Sequence, residues 1–284
     1  MNNKILVTGA TGTIGQALIK GLQNKNTSFV AGVRDTKQAA EKIPGTTLVR
    51  FDFGDPSTYE TATEGVNKVF LLGPPLNLNL VELISPFIDF LKKKNITRVV
   101  YVSALAMEKV KELPFHVTLV KKLQDEGFDY TILNLSFFSQ NFKSYEWDNI
   151  KERGITYMPA GTGKVGFVDV YDIGEAAAIV LTEEGHEKKT YQLTGPDLLS
   201  YGDAAEILSE VTGKTIVYPN PSPEEYTSVL KSAGAPDFIA PYMISVYSLI
   251  ANNEVSVLTD DIEKITGKKP QTLKAVLSRD FQSL

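Results

Sequence analysis

The feature that most constrains this chain is a glycine-rich stretch near its N-terminus, VTGATGTIGQALI, which begins at Val7 and ends at Ile19. Glycines stand at Gly9, Gly12 and Gly15, after the apolar run KILVT and before apolar residues at helical spacing. A strand, a turn without side chains and a helix N-terminus together let a phosphate approach unpaired backbone amides at the positive end of the helix dipole. The stretch therefore predicts a nucleotide-phosphate site, with a turn that only packs strand against helix as the alternative.

Strand and helix patterns alternate through the first half of the chain. Six short, nearly continuous apolar runs, from KILVT at residue 4 to YTILNL at residue 130, are separated by segments with helical apolar spacing. Such runs are typical of strands that are buried on both faces of a parallel sheet. The predicted fold class is α/β, a Rossmann-type doubly wound parallel sheet with a smaller, mostly helical C-terminal region.

The alternation becomes less regular after about residue 150, where a Pro-rich stretch, YPNPSPEEY, leads into helical segments. We expect a nucleotide-binding Rossmann domain over residues 1–150 and a smaller substrate-binding region over residues 151–284. Parts of about 155–195 are expected to return to the sheet, with short strands over 155–159 and 164–168.

Composition argues against several other classes of protein. A net charge of -5 disfavours binding to nucleic acid or to anionic membranes. The chain has no cysteine and only two histidines, so we expect no metal site. It has no apolar run long enough to cross a bilayer and no targeting segment, so we expect a cytoplasmic protein without a membrane partner.

The spacing of the glycines, GxxGxxG, resembles that of the extended and atypical short-chain dehydrogenase/reductases. With YVSA at 101–104, YTILN at 130–134 and FVDVYDIGEAAAIVL at 167–181, the chain resembles the NmrA-like branch of that superfamily. The phrases VLTEEGHEKKTYQLTGP and AEILSEVTGKTI further resemble bacterial NAD(P)H-dependent members, which include triphenylmethane dye reductase and NAD(P)H:quinone oxidoreductases. The resemblance implies a nicotinamide dinucleotide cofactor and a reductase activity.

The candidate cofactor residues follow the ends of the predicted strands. Arg34, after the second strand, suits a 2′-phosphate through its charged, bidentate guanidinium, so NADP(H) is favoured over NAD(H); a solvated surface arginine is the alternative. Asp52 resembles the family position that meets the adenine amino group, or else caps the helix near Pro56 together with Asp55. The other candidate cofactor residues are Gly9, Thr11, Gly12, Thr13, Ile14, Gly15, Phe53, Leu72, Gly73, Pro74, Ser103 and Lys121.

The candidate catalytic residues depart from the family pattern. Short-chain dehydrogenases usually carry Tyr-x-x-x-Lys on the helix after strand five, but FHVTLVKKLQDEG has no tyrosine four residues before Lys121 or Lys122. We expect Lys121, with Lys122 as the alternative, to orient the cofactor. His116, which we expect in a loop before the helix, is the candidate to donate a proton or a hydrogen bond to an acceptor, with a structural role as the alternative.

Aromatic residues follow the sixth strand, and Phe137, Phe138 and Phe142 are candidates to wall a pocket for a flat acceptor; packing between the two regions is the alternative. We expect an NAD(P)H-dependent reductase that passes hydride to a small aromatic acceptor such as a quinone or dye, which needs little help from a positioned acid. A redox sensor that binds the dinucleotide and signals to a protein partner is an alternative. A nucleotide-sugar epimerase is a further one, although it needs the Tyr/Lys pair. A monomer or a homodimer is expected.

Overall fold

A computed structural model of the chain describes residues 4–111 and 113–281. Seven strands form one sheet in the order β3-β2-β1-β4-β5-β6-β7, and the pairs from β3 through β5 run parallel. The strands are β1 (Lys4–Val7), β2 (Phe29–Val33), β3 (Leu48–Arg50), β4 (Val66–Leu71), β5 (Arg98–Ala104), β6 (Asp129–Leu135) and β7 (Lys189–Leu193). The predicted Rossmann-type α/β fold is confirmed.

The helices of the sheet-containing part alternate with these strands. They are α1 (Thr13–Asn24), α2 (Thr36–Lys42), α3 (Tyr59–Ala62), α4 (Leu80–Lys93), α5 (Phe115–Asp125) and α7 (Val170–Thr182). The remaining helices are α6 (Asn141–Ser144), α8 (Tyr201–Thr212), α9 (Pro223–Ser232), α10 (Ile239–Ala251), α11 (Asp261–Thr266) and α12 (Leu273–Asp280). None of the helices in the described ranges is both long enough and apolar enough to cross a membrane.

The chain forms two compact units that alternate along the sequence. The first contains residues 4–104, Leu113–Asn134 and Val170–Gln192, and the second contains residues 105–111, Leu135–Asp169 and 193–281. The boundary expected from the sequence, at residue 150, falls inside the second unit. The first unit holds most of the sheet and the glycine turn.

Close packing of α1 against α7 fixes the position of α1 within the first unit. A Cβ atom on Gly174 would lie 2.5 Å from the carbonyl carbon of Ala17, and one on Gly21 would lie 2.9 Å from the Cβ of Ala178. The two helix backbones approach closely because small residues face each other, and this packing holds α1 beside the sheet.

The sheet has its switch point at β1, which lies between β2 and β4. Chain connections leave β1 and β4 toward opposite sides of the sheet at such a point, which opens a crevice at the carboxyl ends of the strands. The turn that contains the predicted glycines begins at that edge.

Several elements differ from those expected. The strands expected over 155–159 and 164–168 are isolated bridges, in which Ile155 pairs with Val217 and Val165 with Leu199. Because the MPAGTG segment between them forms turns, neither run extends into a ladder. Helix α12 was not expected, although the Thr272 side chain caps it by accepting a hydrogen bond from the amide of Ala275.

The second unit has an aromatic core. The rings of Phe142, Phe167 and Tyr201 lie with centroids 5.3 to 5.5 Å apart, and all three side chains are buried. An ion pair with one buried partner adds to it, because the guanidinium of the exposed Arg279 donates to both carboxylate oxygens of the buried Asp169 at 2.8 and 3.2 Å. This pair joins α12 to the residue that precedes α7 in the chain.

Candidate functional site

The first turn, between β1 and α1, owes its shape to two glycines that admit no side chain. A Cβ on Gly15 would lie 2.2 Å from the carbonyl oxygen of Gly9, inside van der Waals contact. Gly9 itself has φ +63°, and a Cβ there would lie 2.8 Å from the side chain of Leu72 on the neighbouring segment. Both glycines therefore serve close packing, as the packing alternative requires.

Gly12 differs in its surroundings: it is exposed, as Gly9 is, but a Cβ on it would meet only the carbonyl oxygen of Gly9, at 3.3 Å. It is the N-cap of α1 and no side chain caps the helix there. The neighbouring Thr11 and Thr13 are also accessible to solvent, whereas Ile14 is buried and packs α1 onto the sheet. The turn thus leaves an open surface in front of the helix N-terminus, which fits a ligand with anionic oxygens.

A buried threonine, Thr8, joins the ends of β1 and β4. Its hydroxyl accepts a hydrogen bond from the amide of Leu72 at 2.8 Å and lies 3.1 and 3.0 Å from the carbonyl oxygens of Phe70 and Leu72. Thr8 was not among the expected site residues. Its position at the end of β1, immediately before Gly9, was the available signal.

The loop after β4 contains the predicted residues Leu72, Gly73 and Pro74, all partly exposed. A Cβ on Gly73 would lie 2.8 Å from side-chain atoms of both Leu80 and Ile84, so the loop rests directly on α4. The first turn and this loop therefore meet at the β1/β4 switch point through Gly9 and Leu72.

Arg34 and Asp35 follow β2 and have different surroundings. Arg34 is exposed, and within the described ranges no carboxylate forms an ion pair with its guanidinium. The side chain of Asp35 instead caps α2, because its Oδ1 accepts hydrogen bonds from the amides of Lys37 and Gln38 at 2.8 and 3.0 Å. The cation is thus accessible here, while the acid is engaged by the helix.

Asp52 and Asp55 follow β3 and also differ in the hydrogen bonds that they accept. Asp55, and not Asp52, caps the turn at Pro56–Thr58, since its side chain accepts from the amide of Ser57 at 3.2 Å. Asp52 is partly exposed and its Oδ1 accepts from the amide of Gly54 at 2.9 Å. The helix-capping alternative for Asp52 is therefore wrong.

Phe53, the next predicted residue, is partly exposed at the same strand end. Its ring lies edge-on to Phe51 with centroids 4.9 Å apart, and its carbonyl oxygen accepts a hydrogen bond from the Tyr59 hydroxyl at 2.5 Å. Burial, with the nearby Asp52 and Asp55 carboxylates, raises the pKa of Tyr59 to about 12, so this hydroxyl keeps its proton. The contacts hold the backbone of the segment in place and leave part of the ring accessible.

The end of β5 carries Ser103, which is buried, and Tyr101, which is fully buried two residues earlier on the same face of the strand. The Tyr101 hydroxyl lies 2.7 Å from Nδ1 of His116. His116 was expected in a loop before a helix, but it is the second residue of α5, because the helix begins directly after Pro114. The structure thus pairs the predicted histidine with a tyrosine that the sequence analysis did not assign.

Burial lowers the pKa of His116 to about 4. The imidazole is therefore neutral at pH 7 and has no imidazolium proton to transfer. It retains one ring N–H, which can donate a hydrogen bond.

Lys121 lies on the exposed side of α5, with 71% of its side chain accessible and its ammonium 2.8 Å from the carboxylate of Asp125. Lys122 is less exposed, and its ammonium lies 2.6 Å from Asp89 of α4. The two lysines therefore form ion pairs within the helical layer of the first unit. A role of Lys121 at a cofactor requires its pair with Asp125 to open, which costs little for an exposed pair.

The predicted pocket residues belong to the second unit. Phe142 lies in its aromatic core and is 1% exposed, so it packs within this unit and has little surface for a ligand. Phe137 and Phe138 are partly exposed, and the ring of Phe137 lies 5.5 Å from that of Tyr247 on α10. These two rings keep accessible surface.

Known proteins similar to this chain cover its whole length. A model of the NmrA-like family matches residues 1–282. The chain is 30% identical to the prestalk A differentiation protein A of Dictyostelium discoideum, over 98% of this chain and 93% of that protein. It is 31% identical to the NAD(P)H azoreductase of Xenophilus azovorans, over 94% of each.

A solved structure shares the same fold. The crystal structure of an NADPH-dependent quinone oxidoreductase from Escherichia coli, complexed with NADPH, matches with a TM-score of 0.87 and 28% identity. The match covers 98% of this chain and 99% of that one. That protein carries NADPH on the fold described above.

Because the surface at Gly12 is open, we expect a methyl group there to weaken ligand binding without a large change in the stability of the fold. In Gly12→Ala we expect the Kd for NADPH, followed by its fluorescence, to rise about tenfold or more, about 1.4 kcal/mol, because the side chain occupies the approach to the α1 amides. The free energy of unfolding in urea should change by less than about 1 kcal/mol. Gly202→Ala on α8 is the matched control and should leave the Kd unchanged. Equal NADPH affinity in the wild type and Gly12→Ala would leave the turn with a packing role only.

Proposed function

The chain belongs to the NmrA-like family, and from that premise we propose that it is an NAD(P)H-dependent oxidoreductase that passes hydride to a planar acceptor such as a quinone or dye. The names of its relatives support the reductase part of this proposal: one is an NAD(P)H azoreductase and another an NADPH-dependent quinone oxidoreductase. The choice of acceptor rests on this chain's own residues.

One observation carries the proposal, namely the open surface at Gly12 in front of an uncapped helix N-terminus. It lies at the switch point of the sheet, where dinucleotides bind in folds of this type. The partly exposed Thr11 and the exposed Thr13 flank it, and Gly73 and Pro74 lie on the adjacent loop after β4. These residues fit the diphosphate and the ribose next to it.

The residues of α5 favour an acceptor that needs no strong acid. A reduced nicotinamide, when bound, supplies a hydride, which is two electrons and a proton. A quinone becomes a hydroquinone when it takes up that hydride and one further proton, and water can deliver that proton. Helix α5 has no tyrosine, and His116 is neutral, so we assign His116 the role of hydrogen-bond donor to the acceptor. Lys121 remains a candidate to orient the cofactor.

The end of β2 supports a preference for NADPH. The guanidinium of Arg34 is exposed, and the only nearby acid in sequence, Asp35, already accepts two backbone amides with one oxygen. A cation without a competing carboxylate suits a 2′-phosphate better than a ribose with two hydroxyls. We further propose that Asp52 and Phe53 border the adenine, and that the partly exposed rings of Phe137 and Phe138 contact the acceptor.

A redox sensor is the second candidate function, and one observation favours it. His116 is neutral at pH 7 because burial lowers its pKa, and the ammonium of Lys121 is paired with Asp125, so neither candidate catalytic residue stands ready to protonate an acceptor. A protein with this constellation that binds the dinucleotide without turnover would report cofactor state to a partner.

Turnover with an acceptor panel decides between the reductase and the sensor. We expect NADPH oxidation, followed by its absorbance, to depend on added acceptor with at least one neutral quinone and to be faster than with NADH at equal concentration. The control omits the protein, because quinones also react with NADPH in solution. Tight NADPH binding without acceptor-dependent oxidation would support the sensor instead.

Replacing Arg34 tests the cofactor preference. In Arg34→Ala we expect the Kd for NADPH to rise about tenfold or more, because a charge-assisted contact to the 2′-phosphate is lost, and the Kd for NADH to change less than twofold. Arg50→Ala removes the same charge from the adjacent strand end, where Asp55 already pairs with the guanidinium at 3.1 Å, and should have a smaller effect. Equal losses of affinity for both cofactors in Arg34→Ala would contradict the assignment.

A further inference from the structure

Tyr101 and His116 form a pair whose chemistry the proposed function leaves open. The hydroxyl of Tyr101 lies 2.7 Å from Nδ1 of His116, in the layer between β5 and α5. Tyr101 is 0% exposed and sits in the middle of β5, so its hydroxyl has a fixed position. The imidazole packs on Phe115 with ring centroids 4.9 Å apart. Both partners are thus held by the fold of the first unit.

The direction of this hydrogen bond follows from counting donors. Within the described part of the chain, Nδ1 of His116 is the only hydrogen-bond partner of the Tyr101 hydroxyl. If Nδ1 carried the proton and donated it, the buried O–H of Tyr101 would have no acceptor, which costs free energy. Because burial raises the pKa of Tyr101, the hydroxyl keeps its proton and donates it to Nδ1. The ring proton of His116 must then be on Nε2.

We infer that Tyr101 is a positioning residue that holds His116 in the Nε2–H tautomer, so that the imidazole offers the acceptor an N–H donor and not a lone pair. This inference rests on the proposed function for its consequence, but the tautomer itself does not depend on any activity. It also names a substrate class. A donor favours neutral acceptors with a carbonyl oxygen, such as quinones, over cationic triarylmethane dyes, whose accepting carbon has no lone pair.

The role of His116 in the step is limited to this hydrogen bond. When hydride reaches a quinone, the new electron pair places negative charge on a quinone oxygen, and the Nε2–H stabilises that charge. The imidazole keeps its proton, and water protonates the oxygen. His116 is therefore unchanged at the end of the step.

The chain contains a matched control pair within the same unit. Nδ1 of His186 lies 2.8 Å from the hydroxyl of Tyr191, nearly the same distance as in the Tyr101–His116 pair. His186 lies after α7 and has no role in the proposed reaction. Tyr191→Phe therefore removes a hydroxyl that lies at nearly the same distance from a histidine nitrogen, at a partly exposed position outside the candidate site.

Ring nitrogen NMR of the full chain, without cofactor or acceptor, tests the tautomer. The protein has only two histidines, so ¹⁵N-histidine labelling gives two ring systems, and His186→Gln identifies which is which. At pH 7 we expect His116 to be protonated on Nε2 with Nδ1 as acceptor. Tyr101→Phe should produce a mixture of tautomers at His116, whereas Tyr191→Phe should leave its signals unchanged. An Nδ1–H tautomer in the wild type, or an unaltered spectrum in Tyr101→Phe, would overturn the inference.

Kinetics test the consequence. Tyr101→Phe should lower kcat with a neutral quinone about five- to thirtyfold, the effect of one weakened hydrogen bond, with the Kd for NADPH within twofold of the wild type. The rate with a cationic triarylmethane dye should change little, and Tyr191→Phe should be as active as the wild type. His116→Gln, whose side-chain N–H replaces Nε2–H, should keep more of kcat than His116→Ala. Equal losses of kcat with quinone and dye in Tyr101→Phe would assign Tyr101 a structural role only. Absence of turnover in the wild type would refute the proposed function, and the NMR spectrum would still decide the tautomer.

Discussion

The shape of the turn at the carboxyl end of β1 depends on a close contact within the backbone of that turn, between Gly9 and Gly15. The space between the carbonyl of Gly9 and the Cα of Gly15 admits no side chain, because a Cβ there would lie 2.2 Å from that carbonyl oxygen. Thr8 ties the same turn to the end of β4 by accepting from the amide of Leu72. The glycine motif therefore has two physical functions that fall on different residues. Gly9 and Gly15 allow the turn to close, and Gly12 keeps the approach to the helix N-terminus open.

This division explains how the fold prepares a binding surface without help from charged side chains. The first amides of α1 have no side-chain cap, and the packing of α1 on α7 through Gly21 and Gly174 fixes where they lie. A ligand with anionic oxygens can supply the hydrogen-bond acceptors that these amides lack. At the end of β2, two charged residues follow each other in sequence. Asp35 caps α2, so the guanidinium of Arg34 is the accessible charge there.

The sequence predicted the strand and helix alternation, the glycine turn and the family, because each is encoded in neighbouring residues. It did not predict what depends on contacts between distant segments. Tyr101 looks like an ordinary core residue of a strand, and only the fold places its hydroxyl against His116, 15 positions later in the chain. His116 itself was placed in a loop, although Pro114 marks the start of α5. The alternation of two units along the chain is likewise invisible to local periodicity, since it is set by which segments pack together.

The most direct test of the central claim follows the backbone amides of the first turn during a titration with NADPH. In ¹⁵N-labelled full-length protein, the account predicts saturable shifts that are largest for the amides of Thr11 to Ile14, with smaller shifts on α8 and α10. Binding that leaves these amides unperturbed, or no saturable binding at all, would contradict the claim that the first turn receives a dinucleotide phosphate.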